Sequence, residues 1–110
     1  MNIGIIGMGR WGKKLLNVFT RISDVKMVCH KNDFNTSSWV EKHYPNIPTS
    51  LSYSDILENN LIDAVVIATP VNTHYKITKD ALMAKKHVFV EKPLAYSKDE
   101  AAELIELNRN

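Results

Sequence analysis

Hydrophobic and polar positions change period repeatedly along this chain, and each change marks an element boundary. The β-branched run Ile3, Ile5 and Ile6 predicts a strand over residues 3–6. Leu15, Val18, Phe19 and Ile22 then recur at helical spacing, so residues 10–22 read as an amphipathic helix. Asp24 opens a second, mostly apolar strand, Val25, Met27, Val28 and Cys29, interrupted by Lys26 and ending in the polar tip His30-Lys31-Asn32-Asp33. Ser38 followed by Glu41 has the spacing of a capping box and predicts a short helix, which Tyr44-Pro45 ends. Ile47-Pro48-Thr49 reads as a short third strand, confined by its proline to a sheet edge or a strand start. Ser52 or Ser54 caps a brief helix carrying Ile56 and Leu57.

Asp63 introduces Ala64-Val65-Val66-Ile67-Ala68, the longest unbroken apolar run. A strand apolar on both faces suits the centre of a parallel sheet covered by helices on each side. The run stops at Thr69-Pro70, and Asn72 is expected to N-cap a helix to about residue 84 with Tyr75, Thr78, Ala81 and Leu82 as its buried stripe. His87-Val88-Phe89-Val90 predicts a fifth, buried strand, closed by Glu91-Lys92-Pro93, and a second capping box at Ser97 and Glu100 opens the last helix. Strands alternating with helices imply right-handed crossovers. The expected fold is α/β: a doubly wound parallel sheet in three layers, strand order 3-2-1-4-5, one domain over residues 1–110. Ligands of such sheets lie outside the carboxyl ends of the strands, here at the switch point between the first and fourth.

Composition changes this picture little. Hydrophobic residues make up 45% and charged residues 24%, ordinary for a globular protein. The net charge of +2 comes from scattered Lys and Arg. The pairs Lys13-Lys14 and Lys85-Lys86 are too short for a nucleic-acid footprint and read as solvated faces. Trp39 and Phe34 read as packing residues, since no basic, aromatic-interleaved stripe accompanies them. Cys29, the single cysteine, sits in an apolar run and reads as a small buried residue of a reducing compartment. No disulfide framework or Cys/His metal cluster is available, and no apolar run approaches the roughly 18 residues of a membrane span. A cytoplasmic protein without nucleic-acid or membrane partners is expected.

The chemistry concentrates in Gly7-Met8-Gly9-Arg10-Trp11-Gly12, between the first strand and the first helix. Gly7 permits a tight turn, Gly9 lets backbone approach a pyrophosphate, and Gly12 lets the helix pack close to the strand. The helix N-terminus offers unpaired N–H groups and a positive dipole end to phosphates. The spacing and its flanks point to a dinucleotide.

Three stretches together resemble the glucose-fructose oxidoreductase/inositol dehydrogenase (Gfo/Idh/MocA) family. They are the glycine turn, Ala68-Thr69-Pro70 with Asn72-Thr73-His74, and Lys86-His87-Val88-Phe89-Val90-Glu91-Lys92-Pro93-Leu94-Ala95. The resemblance spans the whole chain but only the family's N-terminal half. It implies a Rossmann-type domain and an NAD(P)-dependent oxidoreductase that moves hydride to or from a hydroxyl carbon of a sugar, sugar nucleotide or cyclitol. A second domain would hold the substrate, complete the catalytic set and build a homo-oligomer, so this fragment alone should turn over little or nothing. Gly7, Met8, Gly9, Arg10, Trp11 and Gly12 would form the pyrophosphate turn. Thr69, Pro70, Asn72 and His74 would line the ribose and nicotinamide side, although His74 read by itself is equally an exposed polar residue. Lys92 would be catalytic, Glu91 would position it, and Pro93 would shape the turn after a cis peptide. The histidines His43 and His87 read as structural.

Two positions depart from the family pattern. NAD sites place an acidic residue at the tip of the second strand, where it accepts from the ribose hydroxyls. This chain has His30 and then Lys31, which favours NADP slightly over NAD unless a register shift brings Asp33 to the ribose. Lys85 stands where the family has glycine between helix and strand, and requires either a left-handed residue or a different helix end. A reading of another class is a free-standing, non-catalytic dinucleotide-binding or sensory module.

Overall fold

The computed structural model describes residues 1–90 and 98–109. Its elements are β1 (Asn2–Ile6), α1 (Arg10–Ile22), β2 (Asp24–Cys29), α2 (Phe34–His43), β3 (Thr49–Ser50), α3 (Ser54–Leu57), β4 (Ala64–Ile67), α4 (His74–Met83), β5 (His87–Val90) and α5 (Lys98–Arg109). The described strands form one parallel sheet in the order β3-β2-β1-β4-β5, as the alternation predicts. The expected capping pair Ser97 and Glu100 is outside this test, because Ser97 is not among the described residues.

The continuous apolar run of β4 is explained by its position. Side chains alternate across a strand, so Val66 joins Ile3, Ile5, Leu15, Leu16, Val28 and Val40 on one face of the sheet. On the other face, Val65 and Ile67 pack with Ile6, Ile56, Ile62, Ile77 and Ala81. All four β4 residues are buried. Each such aliphatic side chain contributes about 1.5–3 kcal/mol on burial, so β1 and β4 anchor both layers. Among the described residues, no helix is long and apolar enough to cross a membrane.

Several elements differ locally from their sequence reading. α1 buries Gly12, Leu15 and Leu16, while Val18 and Ile22 are exposed on its flank. α2 starts a turn before Ser38, because Asp33 caps it by accepting from the Asn35 N–H at 3.1 Å and the Thr36 hydroxyl at 3.0 Å. This earlier start leaves Phe34 82% exposed rather than packed, whereas Trp39 stacks on His43 and lies beneath the Lys13 ammonium. β3 begins at Thr49, since Pro48 has no N–H for the ladder and contributes only its carbonyl, to the Val28 N–H at 3.0 Å. Neither Ser52 nor Ser54 caps α3; their hydroxyls pair with each other at 2.7 Å. β5 is not buried as expected, for His87 and Phe89 are exposed, Phe89 packing edge-to-face with Phe19.

The end of α4 resolves the Lys85 question. Lys85 adopts φ 65°, its N–H donates to the Leu82 carbonyl at 3.0 Å, and the Lys86 N–H donates to the Ala81 carbonyl at 3.0 Å. These paired bonds make a Schellman end with lysine in the left-handed place that glycine favours. Lys86 is not on a solvated face. It is 9% exposed, and its ammonium donates to the Ile62 carbonyl at 2.6 Å and the Asn59 carbonyl at 2.9 Å.

Replacing Lys85 by glycine is expected to relieve the left-handed strain and stabilise the chain by about 0.5–1 kcal/mol, raising Tm by a few degrees. Lys86→Met removes the donor to the Ile62 carbonyl and is expected to lower stability by about 1–3 kcal/mol in urea unfolding.

Candidate functional site

The turns after β1, β2, β3 and β4 surround a cavity of about 740 Å³ at the carboxyl edge of the sheet. That volume suits a small-molecule or cofactor ligand. Gly7, Met8, Gly9, Arg10 and Trp11 form one wall, and Cys29, His30, Lys31, Asp33 and Thr36 form the next. Leu51, Ser52 and Tyr53 follow β3, while Ala68, Thr69 and Pro70 follow β4. The predicted switch point between β1 and β4 therefore opens into the cavity.

The three motif glycines do different work. Gly7 has φ +105°, its N–H donates to the Cys29 carbonyl at 2.9 Å, and a Cβ there would lie 2.8 Å from the Ala68 carbonyl. A Cβ on Gly12 would stand 2.1 Å from the Gly7 carbonyl oxygen. Both positions thus seat α1 against the ends of β1 and β4, and Gly12 lies beneath the turn rather than on the cavity wall. Gly9 is the exception: a Cβ there meets nothing within 4 Å. Packing does not demand glycine at residue 9; it leaves open space on the cavity side.

Gly9 is also the N-cap of α1, without a side-chain cap, and the first turn holds no acidic residue. The first bond inside the helix runs from the Lys13 N–H to the Gly9 carbonyl at 3.0 Å. The preceding amides have no partner within the helix, and with the dipole they make an anion-binding end.

Around the β2 wall, His30 is buried, its N–H donates to the Ser50 carbonyl at 3.0 Å, and its Nδ1–H donates to the Lys31 carbonyl at 2.7 Å. Burial and the Asp55 carboxylate push the Cys29 thiol up, so Cys29 is a neutral apolar wall residue, as its sequence context predicts. Tyr53 ties the β3 side to α4, its hydroxyl donating to Asp80 at 2.5 Å; burial followed by the Asp80 hydrogen bond raises its pKa.

The Thr69-Pro70 turn is built from inside. The Thr73 hydroxyl donates to the Pro70 carbonyl at 2.6 Å, and the Thr73 N–H reaches the same carbonyl at 2.9 Å. This closes a single 3-10 turn over Val71–Thr73 ahead of α4. Asn72 therefore does not cap α4; it is exposed and does not line the cavity. His74 is 3% exposed rather than a surface residue, and its Nε2–H donates to the Thr69 carbonyl at 2.9 Å. It supports the turn from beneath without lining the cavity. The stripe of α4 turns accordingly, burying His74, Ile77, Thr78 and Ala81, with Tyr75 and Leu82 half-buried. Glu91, Lys92 and Pro93 lie outside the described residues.

Sequence reasoning missed Leu51, Ser52, Tyr53 and Thr36. With β3 placed at Thr49–Ser50 instead of two residues earlier, the rule that ligands sit beyond strand ends would have pointed to Leu51 through Tyr53. Thr36 becomes visible once Asp33 is taken as the cap.

A parallel sheet in this order, with an uncapped helix end over a glycine turn at the switch point, defines a Rossmann-type dinucleotide-binding domain. The chain belongs to the Gfo/Idh/MocA family: the profile described as "Oxidoreductase family, NAD-binding Rossmann fold" matches residues 1–110. Oxidoreductase YrbE of Bacillus subtilis, itself uncharacterized, is 39% identical over 105 residues, covering 93% of this chain and 30% of its own. Among solved structures, UDP-N-acetylglucosamine 3-dehydrogenase GnnA from Acidithiobacillus ferrooxidans superposes with TM-score 0.86 at 28% identity, covering 99% of this chain and 35% of that one. Biliverdin reductase from Synechocystis, solved with biliverdin and NADP+, gives TM-score 0.88 at 29% identity, covering 98% and 34%. The chain thus spans about a third of the length of these relatives. Family membership favours the oxidoreductase over a free-standing sensory module.

The glycines should separate experimentally. Gly12→Ala drives a methyl group onto backbone and is expected to cost about 3 kcal/mol or more in urea unfolding. Gly9→Ala is expected to change stability by less than about 0.5 kcal/mol.

Proposed function

We propose that this chain is the cofactor-binding domain of an NAD(P)-dependent oxidoreductase acting on a hydroxyl-bearing carbon of a sugar, sugar nucleotide or cyclitol. The observation that carries this reading is the uncapped N-terminus of α1 beside the open side of Gly9, facing the cavity. The amides of Gly9, Arg10 and Trp11 would hold the pyrophosphate, with Gly7 and Gly12 fixing the turn that presents them. The walls of His30, Lys31 and Leu51 through Tyr53 would take the adenosine end, and Thr69 and Pro70 the nicotinamide end. His74 would act behind this wall by holding the Thr69 carbonyl, and Asn72 is exposed outside it.

The dinucleotide supplies the hydride acceptor or donor. Lys92, two residues beyond β5, would orient the substrate hydroxyl and favour the negative charge that develops on its oxygen as hydride leaves. Glu91 would position Lys92, and Pro93 would shape the turn. The proton acceptor and the rest of the substrate site would come from the further length that the relatives possess, which would also form the homo-oligomer. The name of the GnnA dehydrogenase supports a sugar-nucleotide substrate. The reductase seen with biliverdin shows that a similar domain serves other substrates, so the substrate class rests on the family resemblance. A free, buried thiol at Cys29 accords with a cytoplasmic setting.

Titration of the chain with NADH and NADPH, followed by nicotinamide fluorescence, tests the proposal. Saturable binding is expected, with Gly9→Ala weakening it roughly tenfold while leaving the fold intact. The chain alone should oxidise no polyol. In a protein that joins this chain to the further length its relatives possess, Lys92→Ala should lower kcat roughly a hundredfold or more. Absence of any dinucleotide binding would overturn the reading.

A further inference from the structure

We infer that the wall after β2 selects the 2′-phosphorylated dinucleotide through Lys31, and that Asp33 serves as a helix cap and not as a ribose ligand. The inference rests on the dinucleotide reading above and assigns its selectivity.

A site that prefers NAD needs a carboxylate at the end of the second strand to accept from both ribose hydroxyls. β2 ends at Cys29, and the next residue, His30, has its imidazole buried and its Nδ1–H committed to the Lys31 carbonyl at 2.7 Å. With Nδ1–H donating, Nε2 is the one ring nitrogen left that could accept, which offers at most one acceptor for two hydroxyls. Asp33 is the sole carboxylate among the residues lining the cavity. Both of its oxygens are used in starting α2, Oδ1 by the Asn35 N–H and Oδ2 by the Thr36 hydroxyl. Those two bonds fix the side chain towards its own helix, and the helix dipole offsets part of its charge.

The cations on the same walls are Arg10, beside the glycine turn, and Lys31, beside His30. Lys31 is exposed and makes no ion pair among the described residues. Its ammonium is therefore available at the adenosine end of the cavity, where a ribose 2′-phosphate carries nearly two negative charges at neutral pH. A compact ammonium on a flexible stem can meet this phosphate without displacing the Asp33 cap.

The test compares 2′,5′-ADP with 5′-AMP, and NADP with NAD, by calorimetry on the full chain. The 2′-phosphorylated member of each pair is expected to bind at least tenfold more tightly, with a margin that shrinks as salt rises. Lys31→Gln, at an exposed position, should weaken 2′,5′-ADP and NADP roughly tenfold to a hundredfold and weaken 5′-AMP and NAD far less, so that the margin within each pair collapses. Asp33→Asn retains a capping side chain and should leave NAD affinity unchanged. Equal or tighter binding of NAD, an unaltered margin in Lys31→Gln, or loss of NAD affinity in Asp33→Asn would each overturn the selectivity while leaving the dinucleotide site standing. Failure of both dinucleotides to bind would instead overturn the site itself.

Discussion

Helix α1 starts so close above the end of β1 that one methyl group on residue 12 would lie 2.1 Å from the Gly7 carbonyl oxygen. That approach constrains everything around the cavity. It requires glycine at residue 12, as the positive φ of Gly7 and the Ala68 backbone require it at residue 7, and it brings the unpaired amides of the first helical turn to the edge of the sheet. It also lets Gly7 turn tightly enough for its N–H to reach the Cys29 carbonyl, which ties the ends of β1 and β2 together. The polar site is thus a by-product of apolar packing: Leu15 and Leu16 pull the helix onto the sheet, and its N-terminus follows.

The two edges of the sheet manage their polar groups in opposite ways. At the amino edge the chain satisfies itself. Asp63 accepts from the Asn2 N–H at 3.0 Å and returns its own N–H to the Asn2 carbonyl at 2.8 Å, while the buried Lys86 ammonium holds the Ile62 carbonyl. At the carboxyl edge a supporting bond lies behind the cavity surface where His74 sits under Thr69, and on the cavity wall Asp33 spends its carboxylate on the start of α2. At the surface itself the first amides of α1 have no partner within the helix and the Lys31 ammonium makes no ion pair among the described residues.

Much of this was legible along the chain. The order of strands, the two-sided burial of Ala64–Ile67 and the glycine turn follow from properties of neighbouring residues, while the left-handed Lys85 is one of the two alternatives that comparison with the family pattern left open. The errors cluster where two local signals compete. Ser38 with Glu41 and Asp33 both offer caps for α2, and Asp33 prevails because its carboxylate reaches the Asn35 amide and the Thr36 hydroxyl together. Asn72 is a good capping residue, yet the Pro70 carbonyl collects both donors of Thr73 and closes a 3-10 turn instead.

Periodicity, β-branching and glycine spacing set the kind of fold and the kind of ligand, because each acts within a few residues of backbone. They could not tell that Lys86 is buried against a loop 24 residues earlier, that His74 points beneath the Thr69 turn, or that Leu51 through Tyr53 face the cavity. Those outcomes depend on which remote carbonyl or cavity a side chain meets after the sheet has closed. Tertiary packing likewise decided that Gly9, alone among the motif glycines, is left open by the fold.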